Sequence, residues 1–440
     1  MHRKRSEARL GYMKCVFWAA CLASGAASAD APEGLASLEG IQAGKAETVL
    51  ENAFAERQLV QLGEDMHITR EMPEARIKLL SALHRDFGHR LILFEGSTVD
   101  AWIGTDLIME ASESGEDLVE RARDKALPVM WHTPQYTGLF QYIIDSFDGD
   151  APLYPASYDF QPGFSRLGGE AMSALFERLE RYAEAPAKDG DERELLTLFS
   201  VREEGFPEQP LPDEERLAAA IDWLESWIGE AASAIEEGGA PALHADTLRM
   251  IPDQLRAQTE IWRATVEAED EPPMLALQET RDELAAPVIE DFREQAPGER
   301  AMVWAHHVHV YHNTLGQTPH ALGTDLHEML GDALYTLGVF AGRGEFYAME
   351  MEDVSEMAFD SSEDGLEGIL SGLSDEDFFL DFGQVDEGAL LEALGAETST
   401  ARGFPVIPIE DFHGAIYLHE VSRPEIRPFW EEASENDEGP

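Results

Sequence analysis

Apolar residues along this chain fall into two periods. Short continuous runs predict strands at Leu59-Val60, Leu91-Ile92-Leu93-Phe94, Pro152 to Tyr158, Ala301 to Ala305, Leu334 to Phe340, Phe378 to Leu380 and Ala415 to Leu418. Between them the spacing turns helical. Met72, Ala75, Leu79, Leu80, Leu83 and Phe87 mark a helix between the first two strands, and Leu139, Phe140, Ile143 and Ile144 mark another over Tyr136 to Phe147. Arg57 to Phe94 therefore predicts a β–α–β unit, a parallel pair with a crossover helix. Leu35, Leu38 and Ile41, followed by Val49, Leu50 and Phe54, predict a helix pair over residues 30–57, and residues 98–126 form a mixed helical region.

Residues 164–295 change character. They are helical almost throughout and rich in Glu, Ala and Leu, with a polar break near Glu204 to Asp213. Lying between two predicted strands, this segment is expected to be an all-helical insertion, a lid forming one wall of a cleft; the alternative is a separate helical domain. Residues 351–400 are acidic and glycine-containing and are expected to be surface loops with one short helix. The predicted architecture is α/β: a mixed, largely parallel central sheet flanked by helices, its core split into residues 30–163 and 296–430, with a disordered acidic tail at 431–440.

The chemistry-bearing residues gather at strand ends, where α/β proteins place their sites. Gln61-Leu62-Gly63-Glu64-Asp65-Met66-His67-Ile68-Thr69-Arg70 carries the first strand into its helix, with Glu64 and His67 in the handover and Thr69 as a candidate helix cap. A carboxylate beside an imidazole fixes its tautomer and favours its proton uptake, which makes a general base for water. Leu91 to Phe94 ends in Glu95, and an acid at that position is costly unless paired or at the sheet rim. Ala301 to Ala305 runs into His306-His307-Val308-His309. Residues three apart on a straight strand face opposite sides, so His306 and His309 share a site only if the strand ends or bends near His306. His307, His312 and His320 are expected to belong to an exposed run. Arg76, seven residues past Thr69, lies on the same helix face and could steady a carboxylate or an oxyanion.

Composition narrows the partners. The net charge of −55 repels nucleic acid, and the chain has six lysines, none after Lys188. Such a surface also suits a salty medium that screens self-repulsion. Arg3, Lys4, Arg5, Arg9 and Lys14 precede an apolar stretch from Cys15 to Leu22 and a small-residue site, Ala27-Ser28-Ala29: an export leader, too short to span a bilayer. Cleavage after Ala29 takes the charge from −55 to −59, removes Cys15 and Cys21, and gives a periplasmic or secreted protein with no stable membrane insertion. A lipoprotein anchored through Cys21 is the alternative, disfavoured by Trp18 three residues earlier. Glu and His residues at strand ends could also hold zinc or iron, but Cys clusters and His-Glu-x-x-His are absent, so no metal or other cofactor is assigned. Gly-x-Ser-x-Gly is absent too. The residues alone leave open a water-activating hydrolase, a metal-dependent hydrolase at the same cleft, and a binding protein holding haem, iron or another ligand.

Taken together, Leu62-Gly63-Glu64 with His67, Thr69 and Arg76, then Phe94-Glu95, then Val303-Trp304-Ala305-His306 with His309, resemble the erythromycin esterase family. Members read Leu-Gly-Glu-Ala-Thr-His-Gly at the first site and Trp-Ala-His-Asn-Ala-His at the second. Arg281-Asp282, Asp159 with Gln161, and Gly342-Arg343-Gly344-Glu345-Phe346 agree as well, so the resemblance spans roughly residues 45–425. It implies an α/β core with a helical insertion over a deep cleft, and hydrolysis of a small-molecule ester or lactone without a required metal. It makes His67 the general base, has Glu64 and Glu95 orient it or the water, gives oxyanion stabilisation to His306, His309 and Arg76, and puts Arg281 and Asp159 in the substrate-binding set. Asp65-Met66 in place of Ala-Thr, Ile68 in place of Gly, and His307 in place of Asn depart from the pattern, and Ile68 beside the base puts macrolides in question as substrates.

The acidic surface carries its own test. The melting temperature is expected to rise with NaCl, as self-repulsion is screened; a fall with added salt would count against a salt-adapted surface.

Overall fold

The computed structural model describes residues 32–110, 116–160, 165, 167–187, 191–200, 212–267, 274–316, 321–350, 353–361, 364–386 and 388–424. The export leader with Cys15 and Cys21, most of the 204–213 break, Gln161, His320 and the 431–440 tail lie outside the described residues.

The strands are β1 (Leu35–Ser37), β2 (Leu59–Glu64), β3 (Leu91–Ser97), β4 (Tyr154–Asp159), β5 (Ala301–His306), β6 (Leu334–Glu350), β7 (Asp353–Asp360), β8 (Phe378–Asp381), β9 (Thr398–Ser399), β10 (Pro405–Val406) and β11 (Gly414–Val421). The helices that frame them are α1 (Leu38–Gln42), α2 (Glu47–Phe54), α3 (Glu71–Phe87), α4 (Thr98–Glu110), α5 (Glu116–Ala126), α6 (Pro134–Ser146), α7 (Ala171–Tyr182), α8 (Glu192–Thr197), α9 (Glu214–Glu237), α10 (Ala242–Glu267), α11 (Met274–Gln295), α12 (His307–Val310), α13 (Leu322–Leu330) and α14 (Leu366–Ser371). The large sheet runs β1-β8-β11-β6-β2-β5-β3-β4, with β7 paired to β6 off this path. From β11 to β4 all neighbours are parallel, while β1, β7 and β8 pair antiparallel. This is the largely parallel mixed sheet expected from the apolar runs.

Those runs are continuous because both sheet faces are covered. On β2 and β3, Val60, Leu62, Ile92 and Phe94 meet Leu79 and Leu83 of α3 and Phe140 of α6. Their neighbours Leu59, Leu91 and Leu93 face the other way, onto Ala285, Ile289 and Phe292 of α11 and Leu326 of α13. The helix leaving β2 thus packs on one face, and the helices leaving β5 on the other. Adjacent parallel strands whose connections part in this way open a crevice at their C-terminal ends.

Three expectations are revised. β5 lies between β2 and β3, so these two flank a third strand rather than pairing with each other. Leu35 belongs to β1, an edge strand, and the helix pair begins only at Leu38. Within 351–400, β7 forms an eight-residue ladder with the far half of β6 where loops were expected.

The described part of residues 165–295 contains helices and no strand. Its core is continuous with the rest of the protein: Leu175, Trp223, Leu224, Trp227 and Leu248 cluster with Val99, Trp102 and Ile103 of α4. A buried polar junction ties the same region down. Asp106 of α4 pairs with Arg178 of α7 and takes His244 of α10 at 3.1 Å, and His244 meets the Tyr154 hydroxyl of β4 at 2.7 Å.

Gly63 sets how close α12 can come to the sheet. A Cβ there would stand 3.1 Å from His307 Cα and run into the Val310 side chain. Gly63→Ala is therefore expected to cost about 1–3 kcal/mol in urea unfolding and to shift α12 with its histidines; wild-type stability in that variant would show the contact to be slack.

Candidate active site

β2, β5 and β3 lie side by side, and residues at their C-terminal ends build the site. Glu64 and His306 are register partners across β2 and β5. Glu95 stands on the far side of β5, where its Oε2 accepts the His306 backbone N–H at 2.8 Å. Side chains alternate across each strand. Glu64 and His306 thus continue the face of Leu62 and Trp304, while Glu95 continues that of Leu91 and Leu93.

Glu64 has no exposed surface. A buried carboxylate is tolerable only when its lone pairs are taken. Oε1 accepts His67 Nδ1–H at 2.8 Å and the Trp131 indole N–H at 3.2 Å. Oε2 pairs with the Arg76 guanidinium, which also donates to Leu62 O at 3.0 Å and the Tyr136 hydroxyl at 3.2 Å, and lies 3.7 Å over the Trp304 ring. With Nδ1 donating to Glu64, His67 carries its lone pair on Nε2. Its side chain keeps 25 % of its surface exposed, whereas Glu64 keeps none. Burial lowers the His67 pKa, and the charges of His309 and Arg402 lower it further against the pull of Glu95, so His67 is a neutral base at neutral pH.

His309 is set the opposite way. Nδ1 lies 2.7 Å from Asp282 Oδ1 of α11, and Nε2 lies 3.3 Å from Glu95 Oε1. Burial alone would discharge it, but Asp282 and then Glu95 raise its pKa to about 10. Glu95 answers in kind: burial would raise it, yet His309, His67 and Arg281 hold it well below the usual carboxylate range. The strand does end where the geometry requires. His306 is the N-cap of α12, the one-turn helix that carries His309 back to the site.

Two expected oxyanion donors do not point at open space. Arg76 is fully enclosed and spent on Glu64, so its place is structural. His306 uses both ring nitrogens: Nδ1 accepts Val308 N–H at 3.2 Å, which leaves Nε2–H to donate to Asp65 O at 2.9 Å. Burial first, then the cost of protonating it beside the His67 and His307 imidazoles, holds its pKa well below the usual histidine value. Arg281 forms a two-pronged bond to Asp159, at 3.1 and 2.6 Å, rather than to Glu64, and remains 18 % exposed. Thr69 caps nothing: the N-cap of α3 is Arg70. His307 and His312 are buried rather than exposed.

The sequence reading gave no role to Asp282, Trp131 or Tyr136. Asp282 had a signal in the Arg281-Asp282 pair; the two aromatics are ordinary helix-flanking residues until the fold brings them to Glu64. Among the described residues, no group of three or more His, Cys, Asp or Glu is arranged to hold a metal ion. Nor is any described helix long and apolar enough to cross a membrane.

Fold and site together define an α/β protein with a carboxylate-oriented neutral imidazole and a carboxylate-clamped imidazolium at the C-terminal ends of its central strands. A profile of the erythromycin esterase family matches residues 84–421, from within α3 to the end of β11, and the chain belongs to that family. Solved structures similar to it include a Bacillus cereus protein (TM-score 0.66, covering 91 % of this chain and 96 % of that one) and a mutant of the erythromycin esterase EreC in its open conformation (TM-score 0.64, covering 89 % and 99 %). A succinoglycan biosynthesis protein is also similar (TM-score 0.61, covering 89 % and 98 %). Each is 13 % identical to this chain, so the likeness is one of fold. The Bacillus subtilis (strain 168) protein YbfO, itself named only as a candidate hydrolase, is 23 % identical over 115 residues, a match that spans 26 % of this chain and 24 % of that relative.

The Glu64–Arg76 pair makes a sharp prediction. Arg76→Met leaves an uncompensated buried carboxylate and is expected to cost about 3–5 kcal/mol in urea unfolding, most of it recovered in Glu64→Gln/Arg76→Met. Equal stability of the single variant and wild type would show Glu64 to be solvated.

Proposed function

We propose that this protein hydrolyses an ester or lactone, with His67 activating the attacking water. The observation that carries the reading is the fixed tautomer of His67: Nδ1 is committed to buried Glu64, which leaves a basic Nε2 on the exposed side of the ring. As water attacks the carbonyl carbon, Nε2 takes its proton and the carbonyl electron pair moves to oxygen. Glu64 stabilises the imidazolium that forms. The His309 imidazolium, whose charge acts on His67, is the cation for the developing oxyanion; its 3.3 Å contact with Glu95 is looser than its 2.7 Å contact with Asp282, so Nε2–H is the end that can turn to a substrate. On collapse the acyl C–O bond breaks and the leaving oxygen takes the proton from His67. Arg281, partly exposed and held by Asp159, supplies a second cation for a substrate oxygen. Arg76 and His306 act by position, holding Glu64 and the β2 turn. The leader pattern of residues 1–29 supports a place for this chemistry outside the cytoplasm.

A panel of alkyl and aryl esters and lactones tests the proposal. His67→Ala is expected to lower kcat/KM by ~10²–10⁴-fold with an unchanged circular dichroism spectrum. The wild-type profile is expected to rise through an inflection below pH 6.5, because His67 must be neutral, and to fall near pH 10, where His309 loses its proton. Near-native turnover by His67→Ala would remove it as the base, and turnover abolished by chelation and restored by metal would favour a metal-dependent route.

A further inference from the structure

Each of the two catalytic turns carries a second titratable residue, and these two residues meet. Asp65 directly follows Glu64, and His307 directly follows His306. Asp65 is fully enclosed and His307 is 2 % exposed, with Asp65 Oδ1 and His307 Nδ1 3.1 Å apart. That contact is close but not aligned as a hydrogen bond, and among the described residues neither Asp65 carboxylate oxygen nor either His307 ring nitrogen has a hydrogen-bond partner. The rings of Phe340 and Phe404 flank the imidazole, with centroids 6.1 and 5.4 Å away. The charged groups that act on the pair are Glu367 of α14 and Arg402 on the Asp65 side, and Arg402, His67 and His309 on the His307 side. Glu367 is itself enclosed, with one oxygen accepting Ala401 N–H at 2.9 Å and the other without a hydrogen-bond partner among the described residues.

A neutral acid facing a neutral imidazole and a carboxylate facing an imidazolium hold the same number of protons, one. An aromatic pocket opposes any state with a lone charge, whether both protons are lost or both are bound. Burial accordingly raises Asp65 to about 8 and lowers His307 to about 3, so the pair keeps one proton between those limits. The neighbouring backbone repeats the link, since Asp65 O accepts His306 Nε2–H at 2.9 Å.

We propose that Asp65 and His307 are positioning residues whose shared proton latches the turn after β2 to the turn after β5, and so fixes His67 against His309. The kinetic side of this proposal rests on the hydrolase reading; its stability side does not.

The test is a double-mutant cycle of Asp65→Asn and His307→Asn, read by urea unfolding from pH 5 to 9 and by the ring-proton NMR signals of His67. In the unfolded chain Asp ionises near 3.8 and His near 6.5, so above pH 6.5 the unfolded pair holds no proton while the folded pair holds one. Wild-type stability is therefore expected to be level between about pH 4 and 6.5 and to fall as pH rises toward 8. Asp65→Asn is expected to remove that alkaline fall. His307→Asn strands Asp65 and is expected to lower the folding equilibrium at pH 7.5 at least tenfold, with recovery in the double variant. Each single variant is expected to displace the His67 signals and to lower kcat on a cleaved ester more than it changes KM, with kcat regained in the double. Additive stability effects at every pH, or His67 signals unmoved in both singles, would overturn the latch. If wild type cleaves no ester, the hydrolase reading fails and the stability and NMR arms still decide. Should His307→Asn not fold, the pH slope of Asp65→Asn against wild type decides alone.

Discussion

A carboxylate at the buried end of a central strand is the constraint on which this site depends. Glu64 ends β2 with no solvent contact, so every group around it is fixed by the need to keep an enclosed anion satisfied. Arg76 comes from α3, Trp131 from the turn before α6, and His67 from the turn after β2. Arg76 must in turn be held, and Leu62 O, Tyr136 and the Trp304 ring hold it; the Trp304 indole N–H closes the ring of contacts on the Tyr136 hydroxyl at 3.1 Å. An apolar cluster of similar volume would stabilise the fold as well or better. What the ion pair supplies is direction: a carboxylate held from three sides fixes the tautomer of His67.

Two imidazoles within one cleft then take opposite charge states for reasons visible in their neighbours. His67 has one carboxylate partner, itself offset by Arg76, and faces the positive charges of His309 and Arg402. His309 sits between Asp282 and Glu95, neither of which is neutralised as closely. The same side chain is thereby a neutral imidazole in one place and a fixed cation in the other, the separation of roles that the proposed acyl transfer would need.

Much of this was legible along the chain because strand ends leave local marks. The apolar runs stop at Glu64, Glu95 and His306, so those residues mark the C-terminal ends of the strands, β3 going on only to Gly96 and Ser97. The order of strands was not legible, since β5 reaches its place between β2 and β3 through pairings more than two hundred residues apart. Helix-face arithmetic placed Arg76 level with the site but could not tell the side facing the sheet from the side facing the cleft. β7 is acidic and carries the exposed Met357, and so lacks the apolar signal of a buried strand. His307 and Asp65 read as departures from the family pattern, one on each turn; only the fold shows that they depart toward each other.

The charge around the cleft bears on turnover as much as on binding. Glu95, Asp159 and Asp282 face two cations, His309 and Arg281, each already claimed by at least one of these carboxylates. In the proposed reaction a neutral ester would enter such a place without repulsion, and the oxyanion would form beside His309. Hydrolysis would then deliver a full carboxylate among three others, where close charges are screened little by salt. The anion that the imidazolium would help to form is thus the one its neighbours would expel, and a chain of net charge −55 adds its field in the same direction. An acidic surface and an acid-rich cleft both work against rebinding of an acidic product.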